Sequence, residues 1–144
     1  LRPGTDARVL ADLSIAELIE TDCIRVHSSM LLREFVEVVK KSSRNHFPVE
    51  EEKTGQFLGM IHLDDIRAYL FNPAIYDAVV VGQIMDTRVE TVHPDDDLND
   101  VLRHMDSQRL FSLPVVANGR FLGMISKATL LDQYRKELMV QTSH

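Results

Sequence analysis

Two short polar steps in the sequence hold the residues best placed to bind an anion. Each follows a copy of one apolar pentapeptide, because residues 57–61 and 121–125 both read Phe-Leu-Gly-Met-Ile. His62 opens the first step and Ser126 the second, and a helix-like stretch follows each. A strand that feeds a helix in this way leaves backbone N–H groups free, where the helix dipole also favours negative charge. The sequence therefore predicts two sites for a phosphate or a carboxylate.

The pentapeptide belongs to a longer internal repeat. A shift of 66 residues superposes Thr21 on Thr87, Val26-His27 on Val92-His93, Leu32 on Leu98 and Pro48-Val49 on Pro114-Val115. From Gly55 onward the shift becomes 64, so one loop is shorter in the second copy. Duplication followed by a deletion in a turn would leave this pattern. Two units of about 60 residues would each be marginal alone, so we expect them to pack together.

The repeat also predicts the elements that must position the polar steps. Apolar residues spaced i, i+3, i+4 and i+7 indicate one amphipathic helix per copy. The residues expected to be buried there are Leu32, Phe35, Val36 and Val39, and Leu98, Val101, Leu102 and Met105. Short strands are predicted at 23–26, 47–50 and 56–61 and again at 89–92, 113–117 and 120–125, with closing helices at 62–71 and 126–139. Each unit then has the order β-α-β-β-α.

Smaller signals refine these boundaries. A short helix is predicted at 13–19, with Leu13, Ala16 and either Leu18 or Ile19 inward, and its counterpart at 79–85. Asn118-Gly119 predicts a tight hairpin turn. The three aspartates at 95–97 are typical of a capped helix start. The predicted organisation is an arm at 1–12, repeats at 13–77 and 78–139, and a tail at 140–144.

Composition narrows the function classes. The chain has 144 residues, 44% of them apolar, and a formal charge of −6. That charge disfavours nucleic-acid binding, which relies on clustered Lys and Arg. Cys23 is the single cysteine, which excludes an internal disulfide and indicates a small buried side chain. No apolar stretch approaches the roughly 20 residues of a membrane helix, and the start at Leu1 indicates a piece of something larger.

No set of residues predicts catalysis or a metal site. The sequence has no G-x-S-x-G, no H-E-x-x-H and no phosphate-binding lysine loop. The histidines lack the paired spacing of a zinc site. We therefore expect a non-catalytic domain without a bound metal.

The doubled β-α-β-β-α order, with Pro-Val in one hairpin strand and Gly-Met-Ile before the closing helix, resembles a CBS domain pair over about residues 13–136. The resemblance implies an α+β fold in which tandem CBS repeats form one pseudo-two-fold globule. Residues 64–67, 70–77 and 134–138 are most similar to the cytosolic CBS pairs of bacterial ClC-type chloride channels and transporters.

The resemblance implies two clefts that bind adenine nucleotides. In the family, a Ser or Thr and an Asp three residues later come from one repeat, and the other repeat's strands hold the base. Here the first copy has His62 and Asp65, and the second has Ser126 and Thr129, so each departs from the pattern at one position. The preferred set is Asp65, His62 and Arg67 with Arg88, Val89, Phe111, Ser112 and Pro114. The rival set is Ser126, Lys127 and Thr129 with Cys23, Ile24, Arg44, Asn45 and Pro48.

Other interpretations of these residues stay open at this point. Asp65 could merely cap its helix, and Phe111 could be a core residue rather than a platform for a base. Two incomplete motifs are also expected in a CBS pair that no longer binds a ligand. The function expected first is nucleotide sensing by a regulatory domain. The alternatives are a ligand-free structural or dimerisation module and the regulatory pair of another transporter or enzyme.

The resemblance also implies ligands, partners and a location. The ligand would be ATP, ADP or AMP, with magnesium if it is ATP, and no other cofactor is expected. The partners would be the chain's own transmembrane channel domain and a second copy in a homodimer, with no nucleic acid. The domain would then lie on the cytoplasmic side of the membrane as part of a larger protein.

Overall fold

The computed structural model describes residues 14–142 and has two compact units. Of the described residues, the N-unit comprises 22–89 and 118–121, and the C-unit comprises 14–21, 90–117 and 122–142. The predicted arm at 1–12 and the predicted inward position of Leu13 lie outside the described residues. The pseudo-two-fold packing of the repeats stays a prediction.

The N-unit is built on a three-stranded sheet in the order β1-β2-β3. Strand β1 (Val26–His27) runs parallel to β2 (His46–Glu50), and β3 (Phe57–His62) is antiparallel to β2. Helix α2 (Leu32–Lys40) connects the first two strands, and α1 is the short helix Ile15–Leu18 of the C-unit. After β3 come a 3₁₀ turn at Leu63–Ile66, α3 (Arg67–Leu70), a second 3₁₀ turn at Pro73–Ile75 and α4 (Val81–Ile84).

The core of the N-unit is the apolar face of α2 packed on the sheet. Phe35 and Phe47 are fully buried, and their rings meet edge to face with centroids 5.2 Å apart. Leu32 and Val36 are buried as predicted, whereas Val39 is half-buried. The i, i+3, i+4 pattern therefore identified the buried face of this helix.

Two carboxylates of the N-unit, the exposed Asp77 and the half-buried Glu51, have lowered pKa values. Arg33 of α2 donates to both oxygens of Asp77 over 2.7 and 2.8 Å, and this hydrogen bonding lowers the pKa of Asp77. Glu51 accepts from the backbone N–H groups of Lys53 and Thr54 in the hairpin turn, which lowers its pKa. These contacts tie loops to the sheet and to α2.

The C-unit repeats the helix-and-hairpin part of this plan. Its elements are α5 (Leu98–Gln108), β4 (Ser112–Ala117), β5 (Arg120–Ser126) and α6 (Lys127–Thr142). Asn118 and Gly119 connect β4 to β5 with φ of 54° and 76°, as the Asn-Gly pair predicted. Leu98, Val101 and Met105 are buried against Val115, Ile125 and Leu130, and Leu102 is half-buried.

The start of α5 is capped as the acidic run predicted. Asp97 accepts from the backbone N–H of Asn99 over 2.7 Å, and Asp96 accepts from that of His93 over 2.9 Å. Asp97 therefore satisfies a donor that the first turn leaves unpaired, and Asp96 binds the backbone of the loop that precedes the helix.

Each short helical segment pairs with a strand of the other repeat. Glu20, after α1, forms a backbone bridge with Met124 of β5, with N–H···O distances of 2.8 and 2.9 Å. Asp86, after α4, forms the equivalent bridge with Met60 of β3, at 2.8 and 3.0 Å. Each compact unit thus contains residues of both sequence repeats. The predicted boundaries of the repeats stay predictions.

Gly123 makes one of these bridges sterically possible. Its φ is +155°, and a Cβ at this position would lie 2.5 Å from the carbonyl oxygen of Glu20. A side chain would therefore collide with the backbone of the paired segment, and the conformation itself favours glycine. The glycine of the repeated pentapeptide serves this close approach.

Several predicted element boundaries were wrong. The short first helix has a single turn with Ile15 buried and Ala16 exposed, so 3.6-residue periodicity could not identify its inward face. The strand predicted at 23–26 is reduced to β1, and at 89–92 only an isolated bridge of Val92 with Val115 forms. The helix predicted at 62–71 splits into a 3₁₀ turn and α3, while α6 continues to Thr142.

Candidate functional site

The second polar step holds a network of hydroxyl and carboxylate groups within the C-unit. Ser126 precedes α6, and its Oγ accepts from the backbone N–H of Thr129 over 3.1 Å, as a capping residue does. Thr129 Oγ1 donates to Glu20 Oε1 over 2.9 Å, and Ser126 Oγ lies 3.3 Å from the same oxygen. The two hydroxyls are 2.8 Å apart. A carboxylate of the chain thus occupies the position predicted for an external anion.

The cations of this second set are also paired with carboxylates. Lys127 Nζ forms an ion pair with Asp106 of α5, and the backbone N–H of Lys127 donates to the carbonyl of Phe111 over 2.8 Å. In the N-unit, Arg44 donates to Asp22 over 2.6 Å. Both cations would therefore have to leave a carboxylate before they could bind a phosphate.

The remaining predicted residues of the second set lie in the N-unit. Cys23 is half-buried rather than buried, and Ile24 is half-buried beside the apolar core. Pro48 is buried within β2, and Asn45 is exposed immediately before that strand.

The first polar step differs from the second, because its carboxylate, Asp65, has no hydrogen-bond or ion-pair partner among the described residues. Asp65 is exposed on the 3₁₀ turn Leu63–Ile66 and makes no side-chain hydrogen bond or ion pair with the described residues. It therefore makes no capping hydrogen bond, although it lies in the first turn, where a negative charge is favourable. Arg67 is exposed in α3, where its Nε lies 3.5 Å from Asp64.

His62 lies at the end of β3 beside a small cavity. Its ring faces that of His46 on β2, with centroids 6.2 Å apart. The cavity has a volume of about 280 Å³ and is lined by Asn45, His46, His62, Leu63 and Asp64. The structure thus brings His62 of the preferred set together with Asn45 of the rival set.

The other members of the preferred set are distributed over both units. Arg88 is exposed, its side chain forms no ion pair in the described part of the chain, and Val89 is half-buried. In the C-unit, Pro114 is buried in β4 and Ser112 is half-buried. Phe111 is 78% exposed, so its interpretation as a core residue is wrong.

The features that sequence reasoning missed are the internal carboxylate partners. The pairs are Glu20 with Thr129, Asp22 with Arg44 and Asp106 with Lys127. The two members of each pair are more than 20 residues apart in the sequence, so residue spacing gave no signal for them. The repeat itself carried one signal, because the shift of 66 residues relates Glu20 to Asp86, two acidic residues at matching places.

A larger cavity in the C-unit was also missed. Its volume is about 470 Å³, and its lining includes Glu90, Asp96, Asp97, Asp100 and His104. His104 Nε2 lies 2.5 Å from Glu90 Oε2. Asp97 caps the start of α5 and Asp96 accepts from the backbone of the preceding loop, so backbone hydrogen bonds account for part of this acidic lining.

Across residues 14–142, no helix combines the length and the apolar character needed to cross a bilayer. In the same residues, no three or more His, Cys, Asp or Glu side chains converge as metal ligands would.

Comparison with known proteins identifies the family. The CBS domain family matches residues 15–72 and 81–136, which is most of the chain. The chain belongs to the CBS domain family. The match to two consecutive copies makes it a CBS pair, and the α+β prediction is confirmed by similar solved structures. The search of curated proteins gave no match.

Solved CBS structures share the fold at low identity. A CBS domain protein from Streptococcus pneumoniae is 22% identical, with a TM-score of 0.75 over 92% of this chain and 93% of that chain. The CBS domain of a bacterial CNNM/CorC family Mg²⁺ transporter, in complex with ATP, is 14% identical, with a TM-score of 0.74 over 90% and 92%.

A third similar structure is a CBS domain pair in complex with 5′-methylthioadenosine and S-adenosyl-L-methionine. It is 22% identical, with a TM-score of 0.65 over 87% of this chain and 98% of that chain. Sequence identities this low establish the fold of the CBS pair and nothing finer.

Proposed function

We propose that this CBS pair is a non-catalytic regulatory module that binds an adenine nucleotide through the set containing Asp65. The observation that carries the proposal is the contrast between the two polar steps. Asp65 makes no side-chain hydrogen bond or ion pair with the described residues, whereas Ser126 and Thr129 bind Glu20 and Lys127 pairs with Asp106. A ligand that binds Asp65 displaces no internal hydrogen-bond partner, whereas a ligand that binds Thr129 must displace the Glu20 carboxylate.

The chemistry of a ribose fits the exposed carboxylate. An ionised carboxylate accepts hydrogen bonds from two neighbouring hydroxyls, and such charge-assisted bonds are stronger than neutral ones. Arg88 is an exposed cation of the same unit and would attract the phosphates, and Arg67 would do so once released from its exposed pair with Asp64. The ligand class is supported by CBS pairs of the same fold that were solved with ATP, 5′-methylthioadenosine and S-adenosyl-L-methionine.

We further propose that the module regulates a membrane transport protein and associates as a homodimer on the cytoplasmic side of the membrane. The similarity of residues 64–67, 70–77 and 134–138 to ClC-type channels supports a chloride channel or transporter as the attached domain. Two-fold dimers are the commonest assemblies among soluble homo-oligomers. Sedimentation that finds only monomer from micromolar to millimolar concentration would exclude the homodimer.

A second candidate function is a ligand-free dimerisation module. Met139 and Val140, near the end of α6, are 70% and 62% exposed, and neighbouring apolar side chains of this kind favour a protein contact. This candidate predicts self-association without any response to nucleotides.

Calorimetric titration with AMP, ADP, ATP and S-adenosylmethionine, with and without magnesium, tests the proposal. Charge-assisted hydrogen bonds contribute about 1.5–3 kcal/mol, so Asp65→Ala should weaken binding roughly 10- to 100-fold. Glu17→Ala is the control, because it removes an exposed carboxylate that belongs to neither predicted set, and Thr129→Ala should be nearly silent. Arg67→Ala or Arg88→Ala should weaken ATP binding more than AMP binding, and less at high salt.

Two outcomes would overturn this assignment. If Thr129→Ala or Lys127→Ala abolishes binding while Asp65→Ala has no effect, the nucleotide uses the other set. If no nucleotide binds at millimolar concentration, the module is ligand-free and the dimerisation function replaces nucleotide sensing.

A further inference from the structure

Two histidines face each other across the sheet of the N-unit. His46 of β2 and His62 of β3 are direct partners in the antiparallel register, so their side chains lie on the same face of the sheet. Phe47 and Ile61, the next pair along the two strands, are buried in the core. Because side chains alternate between the two faces of a strand, the two imidazoles lie on the face opposite that core.

The hydrogen-bond pattern of the strands brings these two side chains close together. Pro48 has no backbone N–H, so its pair with Met60 is one in which the strands exchange no hydrogen bonds. Bonded and non-bonded pairs alternate along an antiparallel ladder, and the Leu63 N–H donates to the Asn45 carbonyl over 2.9 Å just beyond the histidines. The histidine pair is therefore again a non-bonded pair, in which the Cα atoms are only about 4.5 Å apart and the side chains are closest.

Both imidazole rings line the cavity of about 280 Å³ at the end of β3. The rest of its lining is Asn45, Leu63 and the exposed Asp64. One water molecule takes about 30 Å³ in the liquid, so the cavity has room for an ion that keeps several waters. Both histidines are half-buried, so an ion could reach them from solvent without entering the core.

The distance between the rings suits one shared metal ion. Their centroids are 6.2 Å apart. Two imidazoles on one tetrahedral ion, with metal–nitrogen bonds of about 2.0–2.1 Å, have ring centroids roughly 5 Å apart. A small rotation of each side chain would make up the difference. Each imidazole has two ring nitrogens, so a ring that uses one nitrogen within the fold still offers the other to a metal.

We propose that His46 and His62 form a two-histidine chelate for a divalent transition-metal ion such as Zn²⁺, with water completing the coordination. Imidazole nitrogen suits Zn²⁺, Cu²⁺ and Ni²⁺, whereas Mg²⁺ and Ca²⁺ take oxygen ligands. Asp64 lies 3.5 Å from Arg67 as an ion pair, so the two imidazoles are the protein ligands. A bound ion would join the ends of β2 and β3 and would stabilise the folded N-unit by mass action.

Calorimetric titration of the whole chain with Zn²⁺ alone, without nucleotide, tests this proposal. Wild type should bind one Zn²⁺ saturably, and excess Mg²⁺ should not compete. His46→Gln and His62→Gln should each weaken binding at least about 10-fold, because a single remaining imidazole cannot chelate the ion. His27→Gln is the matched control, because His27 is an exposed histidine of the same sheet, and it should leave binding unchanged.

NMR spectra of the imidazole nitrogens give a second readout that needs no variant. In wild type, one equivalent of Zn²⁺ should shift the ring nitrogens of the two paired histidines and leave those of His27, His93 and His104 in place. The proposal fails if Zn²⁺ does not bind, if Mg²⁺ competes equally, if the control variant loses as much affinity, or if other histidines shift first. Nucleotide binding at Asp65 could fail without altering any of these results.

Discussion

Replacing Phe35 with alanine should remove a large part of the stability of the N-unit. Phe35 is fully buried in α2, and its ring packs edge to face on Phe47 at 5.2 Å. Truncating a buried phenylalanine costs about 3–5 kcal/mol, of which the aromatic pair accounts for about 0.5–1.5. Typical domains unfold with only about 5–15 kcal/mol, so the variant should unfold at a much lower urea concentration.

Equilibrium urea unfolding, followed by the circular dichroism of the helices, measures this loss. The matched control is Phe71→Ala, because Phe71 is the same residue type at 81% exposure. An exposed substitution should change the free energy of unfolding by less than about 0.5 kcal/mol. A loss below about 1 kcal/mol for Phe35→Ala would mean that this face of α2 is not the core of the N-unit.

Two further predictions follow from backbone geometry and from one ion pair. Gly123→Ala should destabilise the chain more than Gly119→Ala in urea unfolding. Both have positive φ, but only at Gly123 would the new Cβ meet a backbone oxygen, and equal losses would contradict this. Asp77 has a lowered pKa because of Arg33, so the stability it contributes is present above its ordinary value of 3.8 and is lost as the pH falls through the lower, folded value. Wild type should therefore exceed Asp77→Asn in stability near neutral pH and converge with it in acid; a constant difference across that range would refute the cause.

The long periodic elements of the fold could be predicted from the sequence. Leu32, Phe35 and Val36 have the helical spacing that buries one face, and Asn118-Gly119 has the conformational preferences of a tight hairpin. The short elements could not be predicted, because one turn of helix is too short for periodicity to identify its buried face. In the first short helix the buried residue is Ile15, whereas Ala16 was expected. Ile15 is buried because it packs into the core of the C-unit, which the local sequence does not reveal.

The candidate site was predictable in its residue types but not in its pairings. The two polar steps could be found because a repeated pentapeptide precedes them. Whether a carboxylate is engaged depends on partners that lie far apart in sequence, such as Glu20 with Thr129. The sequence therefore made Asp65 and Ser126 comparable candidates, and only the contacts distinguish an unengaged carboxylate from an engaged hydroxyl.

The pairing of Glu20 with Met124 and of Asp86 with Met60 means that neither half of the chain contains its own complete sheet edge. A fragment ending before Ala78 would expose the backbone groups of β3 that Asp86 satisfies, and a fragment starting there would expose those of β5. Exposed strand edges pair with other chains, so two such fragments would have to recombine to recover the native pairing. Contacts over this sequence separation also form late, since closing a long loop costs entropy first. The repeated sequence unit and the length of chain that satisfies its own strand edges are therefore different.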